Sequence, residues 1–353
     1  MRVQAVAIMT AALAAVPALG HDKVVVPESH APAGIMSDHM HKTGEIMTGY
    51  RYLRSTYQDN YQGSNKVTLD DLGHAGFSMA STSMTMDMLM LDIMYAPTDW
   101  LTLMLMPMYM HMQMDMVSTG AEHHTDGMEG MEGMEGMDHG DMHGAGHNHS
   151  ISGIGDTHVS AMLRLAGNDQ HQFIGSLGMS IPTGKVDRKN SDDTFVHYGM
   201  QLGSGTWDFL PGLTYTGRMG SLSWGAQANA VIRLEDDNDS GFAFGDKYQA
   251  SLWGAVRVVD WMSLSARVGW EDQDPISGHY NGPHHHSAPE DFQENYGGEF
   301  VDAAVGANFV VTGGNFIGLR LGLEWVNRIK EDYHGYQLGL DDGLNVSLTY
   351  SFK

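Results

Sequence analysis

Residues 84–116 read MTMDMLMLDIMYAPTDWLTLMLMPMYMHMQMDM, with methionine at nearly every second position on both sides of a short break. Side chains that recur every two residues share one face of a β-strand. Met84, Met86, Met88, Met90 and Met94 therefore share a face of one strand. Met104, Met106, Met108, Met110, Met112, Met114 and Met116 share a face of the next. The break at 96–99 is APTD, and Pro and Asp favour turns, so the two strands should pair as an antiparallel hairpin. An even pairing sum, such as Met90 opposite Met104, puts both rows on one side of the sheet, whereas a slip of one residue would separate them. The alternate positions name the other side. They are Leu89, Leu91, Ile93 and Tyr95, then Leu101, Leu103, Leu105 and Tyr109, followed by His111. An aliphatic band closed by an aromatic and then a polar residue is how a lipid-facing strand reads, so the methionines should point into a closed barrel.

The same alternation recurs along the chain. It predicts further strands near 44–57, 154–166, 172–182, 205–217, 221–235, 246–259, 261–272, 298–311, 316–330 and 342–352. Short turns at 96–99, 167–171, 218–220, 259–261 and 312–315 should face the periplasm. Long connections at 58–76, 118–153, 183–204, 236–245 and 273–297, with a shorter one near 331–341, should face outside. The expected fold is all-β, a transmembrane antiparallel up-and-down barrel of about 12 strands in the bacterial outer membrane.

The remaining segments fit that reading. Residues 1–20 have the basic start, apolar run and small residues of a secretory signal. Residues 21–43 lack a strand pattern and are expected to form a periplasmic N-terminal segment that can fold into the pore mouth, with His30, His39, His41, Met36 and Met40. Residues 44–353 are expected to form the barrel, with 118–153 as its Met/His-rich outer loop. No run of 18 apolar residues marks a membrane helix. The chain has no cysteine, which excludes disulfides and thiolate sites. Its formal charge of −24 argues against nucleic acid and favours cations.

Twenty-eight methionines and twenty histidines are the compositional outliers, and both residue types ligate metals. The loop carries Met128, Met131, Met134, Met137 and Met142, interspersed with His123, His124, His139, His143, His147 and His149. Thioethers suit Cu(I), while imidazoles beside Glu129, Glu132 and Glu135 suit Cu(II), so copper ions are the expected ligand or cargo. A lumen ladder of Met86, Met88, Met90, Met104, Met106, Met108, Met110 and Met112 could pass Cu(I) from site to site. Packing is the competing explanation, because methionine fills irregular interiors well. His284, His285 and His286 form a second candidate cation site in an outer loop, where a bend can bring two of them together. Asp92, Asp156, His158 and Met162 are candidates for a harder site on the inner face, and the inward arginines and glutamates for ion pairs lining the pore. No Gly-x-Ser-x-Gly elbow appears, and the histidines cluster in loops, so the chain is not expected to be an enzyme.

Four stretches carry a family resemblance: SGIGDTHVSAMLRL (152–165), IPTGK (181–185), LGSGTWDFLPGLTYTGRMGSLSWGAQANAVIRL (202–234) and GFAFGDKYQASLWGAVRVVDWMSLSARVGWE (241–271). They resemble outer-membrane proteins of the MetA-pathway of phenol degradation family. The resemblance implies a channel, in some members near aromatic-compound catabolism. The methionine rows and Met/His loops depart from that pattern, and residues 128–149 are similar instead to the Met-rich segments of bacterial copper-resistance proteins. The main expectation is thus an outer-membrane barrel that binds copper at its outer loops and conducts it along a methionine-lined lumen, with a periplasmic metal carrier as partner. The alternatives are a channel for small hydrophobic or aromatic compounds, or a surface protein that sequesters copper without transport.

Overall fold

The computed structural model describes residues 25–120 and 147–352. Its first determinant is the methionine hairpin. Met94 pairs with Met104, Met90 with Met108, Met88 with Met110, Met86 with Met112 and Met84 with Met114. The pairing sum is constant and even, so both rows share one face, displaced from the Met90–Met104 example. The row extends to the first strand, where Met47 lies opposite Met94. Met47, Met94, Met106 and Met112 are at most 1% exposed, while Leu89, Ile93, Tyr95, Leu103, Leu105 and Tyr109 are 36–48% exposed. The thioethers point inward and the aliphatic row outward, as the alternation requires.

Eleven antiparallel ladder elements follow one another around the wall. They are Ile46–Gly63, Met79–Thr98, Leu101–Met106 continued by Met108–Ser118, and His147–Ile154 continued by Thr157–Gly167. Next come His171–Ile181, Asp208–Met219, Leu222–Arg233, Lys247–Val259, Met262–Gln273, Gly298–Val310 and Arg320–Phe352. Ile46–Gly63 pairs with both Met79–Thr98 and Arg320–Phe352, which closes the ring and leaves no edge across the membrane. The last element is itself a hairpin. Its first half pairs with Gly298–Val310 and its second with Ile46–Gly63. Asn327 Nδ2 donates to Asp341 O at 3.0 Å and Trp325 Nε1 to Asp342 at 3.3 Å, across a tight turn where Gly335 has φ +58°. Counted as spans, the wall has twelve strands.

The predicted loop near 331–341 is therefore extended chain around a tight turn. Likewise the first strand runs on to Gly63, and a short helix, Leu69–His74, occupies part of 58–76. Pro107 has no N–H to give the ladder. The neighbouring strand breaks beside it at Gly155 and Asp156, and Gly155 N bonds Met108 O at 3.0 Å. Exposed aromatics ring both ends of the wall: Tyr95, Trp100 and Trp261 near the short turns, and Tyr109, Trp207, Tyr248 and Trp270 toward the long loops. No helix among the described residues is long and apolar enough to cross a membrane.

The N-terminal segment, expected at the pore mouth, is described from residue 25. From residue 25 onward it lies inside the lumen, in the half nearer the short turns, because its polar backbone finds partners on the inner wall. Arg51 donates to Ala33 O and Ile35 O, each at 3.0 Å, and to Asp92 at 2.6 Å. Gly34 N donates to Glu324 at 2.7 Å, Gln227 Nε2 to Met36 O at 2.7 Å, and Arg257 to Glu28 at 2.6 Å. Arg267 completes the girdle by pairing with Glu324 at 2.7 Å. Of the ion pairs expected inside the pore, these serve to hold the plug. Arg51→Ala would leave Asp92 buried without its cation and two plug carbonyls without donors. Removing one partner of a buried pair costs about 3 kcal/mol. The expected outcome is a lower denaturant midpoint and faster protease cleavage within 25–45, measured on the folded protein in detergent.

Candidate functional site: the lumen cavity

Between the plug and the outer loops lies a cavity of about 710 Å³. Its two sides differ in chemistry. One is the thioether wall of Met86, Met88, Met90, Met106, Met108 and Met110. Half a circuit away stand Gln227, Asn229, Arg233, Gln249 and Glu271 on the strands from Leu222 to Gln273. Those polar groups are held in place by one another: Asn229 donates to Gln249 at 2.7 Å, Gln249 to Glu271 at 2.6 Å, and Lys247 lies 3.2 Å from Glu271. Arg233 pairs with Asp208, itself fixed by Thr206 at 2.7 Å. Met36 and Ser37 of the plug form the floor, and Leu202, Glu290 and Tyr296 contribute to the roof.

The roof is made by outer loops that fold inward, which the sequence did not foretell. Met112, Met114 and Met116 pack with Val196, Met200, Leu202 and Ala288. Phe195, Tyr280 and Tyr198 stack with ring centroids 4.3 Å apart. Asp156 anchors one loop by accepting from Gly184 N at 3.0 Å and Ser204 N at 2.7 Å. His197 anchors the other, with Nδ1 2.7 Å from Asp291 and Nε2 3.2 Å from the Met116 sulfur. Burial alone would lower the His197 pKa, but the hydrogen bond and charge of Asp291 outweigh it and raise the value.

The harder site expected from Asp92, Asp156, His158 and Met162 is not assembled. Asp92 is committed to Arg51 and Asp156 to the loop, while His158 lines the cavity and Met162 is buried with Met47, Met94, Met104 and Ile174. Of the predicted ladder, Met104 lines the cavity while packing in that cluster, and Met112 is buried beneath the roof. Among the outer histidines, His284 and His286 face each other at 4.3 Å, whereas His285 turns to Asp192 at 3.2 Å. His147 and His149 belong to strand His147–Ile154 and not to the loop, because Met108–Ser118 extends far enough to pair with them. His123, His124, Met128, Met131, Met134, Met137, His139, Met142 and His143 lie outside the described residues. The plug brings together three residues that sequence reading left unassembled: His30, Asp38 and His39. Burial, then Arg320 and the neighbouring rings, push the His30 pKa well below its ordinary value.

A His pKa raised by folding stabilises the folded form fully below the unfolded value. That stabilisation is lost as pH rises through the folded value. Docking of the roof should therefore weaken on the alkaline side of the ordinary His value. Protease nicking within 183–206 and 274–297 should increase from pH 6 to pH 9, and His197→Gln should flatten that dependence.

A sequence profile of the family described as "Putative MetA-pathway of phenol degradation" matches residues 130–316. No curated protein sequence matches the chain. Among solved structures, the COG4313 outer membrane channel from Pseudomonas putida F1 is similar with a TM-score of 0.55 at 18% identity, over 88% of this chain and 97% of that one. A Pseudomonas aeruginosa FadL homologue is similar with a TM-score of 0.42 at 9% identity, over 88% and 90%. The first likeness bears on the fold alone: a closed outer-membrane barrel.

Proposed function

The chain belongs to the MetA-pathway phenol-degradation family of outer-membrane barrels, and on that premise we propose that this channel admits small aromatic molecules bearing one or two polar groups, phenols being the simplest. The observation that carries the reading is the two-sided cavity. Its volume falls within the roughly 300–1,000 Å³ range of small-molecule sites. An aromatic ring would lie on the thioether wall, where each sulfur–ring contact contributes about 0.3–1.5 kcal/mol. Its hydroxyl would meet Gln227, Asn229 or Gln249 across the lumen. A row of similar weak contacts favours transit over retention, because a molecule can step from one thioether to the next without a deep well. Passage to the periplasm requires the floor at Met36 and Ser37 to move aside.

A second reading, copper capture, draws support from the proximity of a soft sulfur and an imidazole at Met116 and His197, and from the Met/His composition of 121–146. The two readings ask different things of the same wall. Apolar shape is enough for an aromatic ring, whereas a soft ion needs sulfur. Met86→Leu, Met88→Leu and Met110→Leu together should leave uptake of labelled phenol by intact cells within about twofold. The corresponding glutamine triple, similar in shape but polar, should lower it about tenfold, equivalent to about 1.4 kcal/mol. Equal phenol uptake by the glutamine triple and the native protein would overturn the aromatic reading. Loss of copper accumulation in the leucine triple would favour the second.

A further inference from the structure

The plug contains a cluster that the channel reading does not use. His30, Asp38 and His39 each offer a ligand atom, and these atoms all lie within 4.8 Å of one another. The rings of His30 and His39 are 4.0 Å apart, and the ring of His41 is 4.9 Å from that of His39. Asp38 is 5% exposed and organises the group: one oxygen accepts from Ala31 N at 2.7 Å, the other lies 2.8 Å from His39 Nδ1. That leaves His39 Nε2, buried and without a hydrogen-bond partner. The Asp38 oxygen and His39 Nδ1 thus stand at the spacing of two ligands of one ion, which on binding would take the place of the proton they share. The guanidinium of Arg320 donates to Val26 O at 3.1 Å and to the Ser29 hydroxyl at 2.8 Å.

We propose that His30, Asp38 and His39 bind one divalent transition-metal ion of the zinc or copper(II) class, and that this ion fastens the plug within the barrel. Two imidazoles and one carboxylate suit borderline divalent ions, and they suit neither Cu(I), which prefers sulfur, nor Mg(II), which prefers oxygen throughout. The ligands stand at the two ends of residues 30–39. Between them lie Ala33, Gly34, Ile35 and Met36, whose backbone groups bond Arg51, Glu324 and Gln227 of the wall. An ion joining the ends would hold those groups in register with their partners and so oppose withdrawal of the floor.

The test is a zinc(II) titration of the full chain in detergent, followed by calorimetry, with magnesium(II) as the control. The double variant His30→Ala/His39→Ala should bind one zinc(II) equivalent fewer than the native protein, or bind that equivalent at least a hundredfold more weakly. His39→Gln keeps a donor for Asp38 while removing the imidazole, so it should show the same loss with an unchanged folded band on unheated gels. Zinc(II) should slow protease cleavage within 25–45 in the native protein but not in either variant. Equal stoichiometry and affinity in native and folded variant proteins would overturn the site. Zinc(II) bound without protection of 25–45 would overturn the fastening role.

Discussion

Hydrocarbon offers no partner for a backbone N–H or C=O, so a strand can cross a bilayer only inside a closed ladder. That requirement governs this molecule from its first strand to its last. Ile46–Gly63 must find Arg320–Phe352 across the whole length of the sequence, and the pairing from Ile46–Phe352 onward satisfies it. Once the ring closes, the period of two assigns every side chain to lipid or lumen. The methionine rows are inside because Leu89, Ile93, Leu103 and Leu105 are outside.

The lumen then faces an opposite demand. A twelve-stranded wall encloses more space than its own side chains fill, and the chain supplies other residues to occupy it. From below comes the plug, held by Arg51, Gln227, Arg257, Arg267 and Glu324. From above come the loops, held by Asp156, His197 and Asp291. What is left between them is a chamber whose greasy and hydrogen-bonding sides derive from different strands. Its asymmetry follows from sequence order: the methionines sit on consecutive strands, and the glutamine–asparagine–glutamate group on three strands half a circuit away.

The wall was legible from the sequence because alternation is a local signal that every strand repeats. The Met84–Met116 hairpin was readable down to the parity of its register. Chain that follows no period was not legible. Residues 25–45 carry no alternation, and their placement depends on long-range partners such as Glu324 and Arg320, which nothing in the local sequence announces. The same holds for His197, an unremarkable loop histidine until Asp291 and Met116 arrive beside it. The stretch 331–341 is extended chain where a loop is expected, because strand ends that run past the membrane carry tyrosines and acidic residues in place of the lipid-facing alternation. His30, Asp38 and His39 were visible as residue types, but their convergence depends on how the backbone folds between them.

The plug also bears on how the molecule is assembled. It runs directly into the first strand, with Gly44 N bonded to Ala96 O at the rim where the short turns lie. Its grip is shared between that opening strand, through Arg51, and the first half of the last hairpin, through Glu324 and Arg320. With Gln227, Arg257 and Arg267 on strands between these two, the socket is complete only when the whole ring is closed. The plug's full grip is therefore a property of the closed cylinder alone, and any opening of the ring loosens the segment that obstructs its throat.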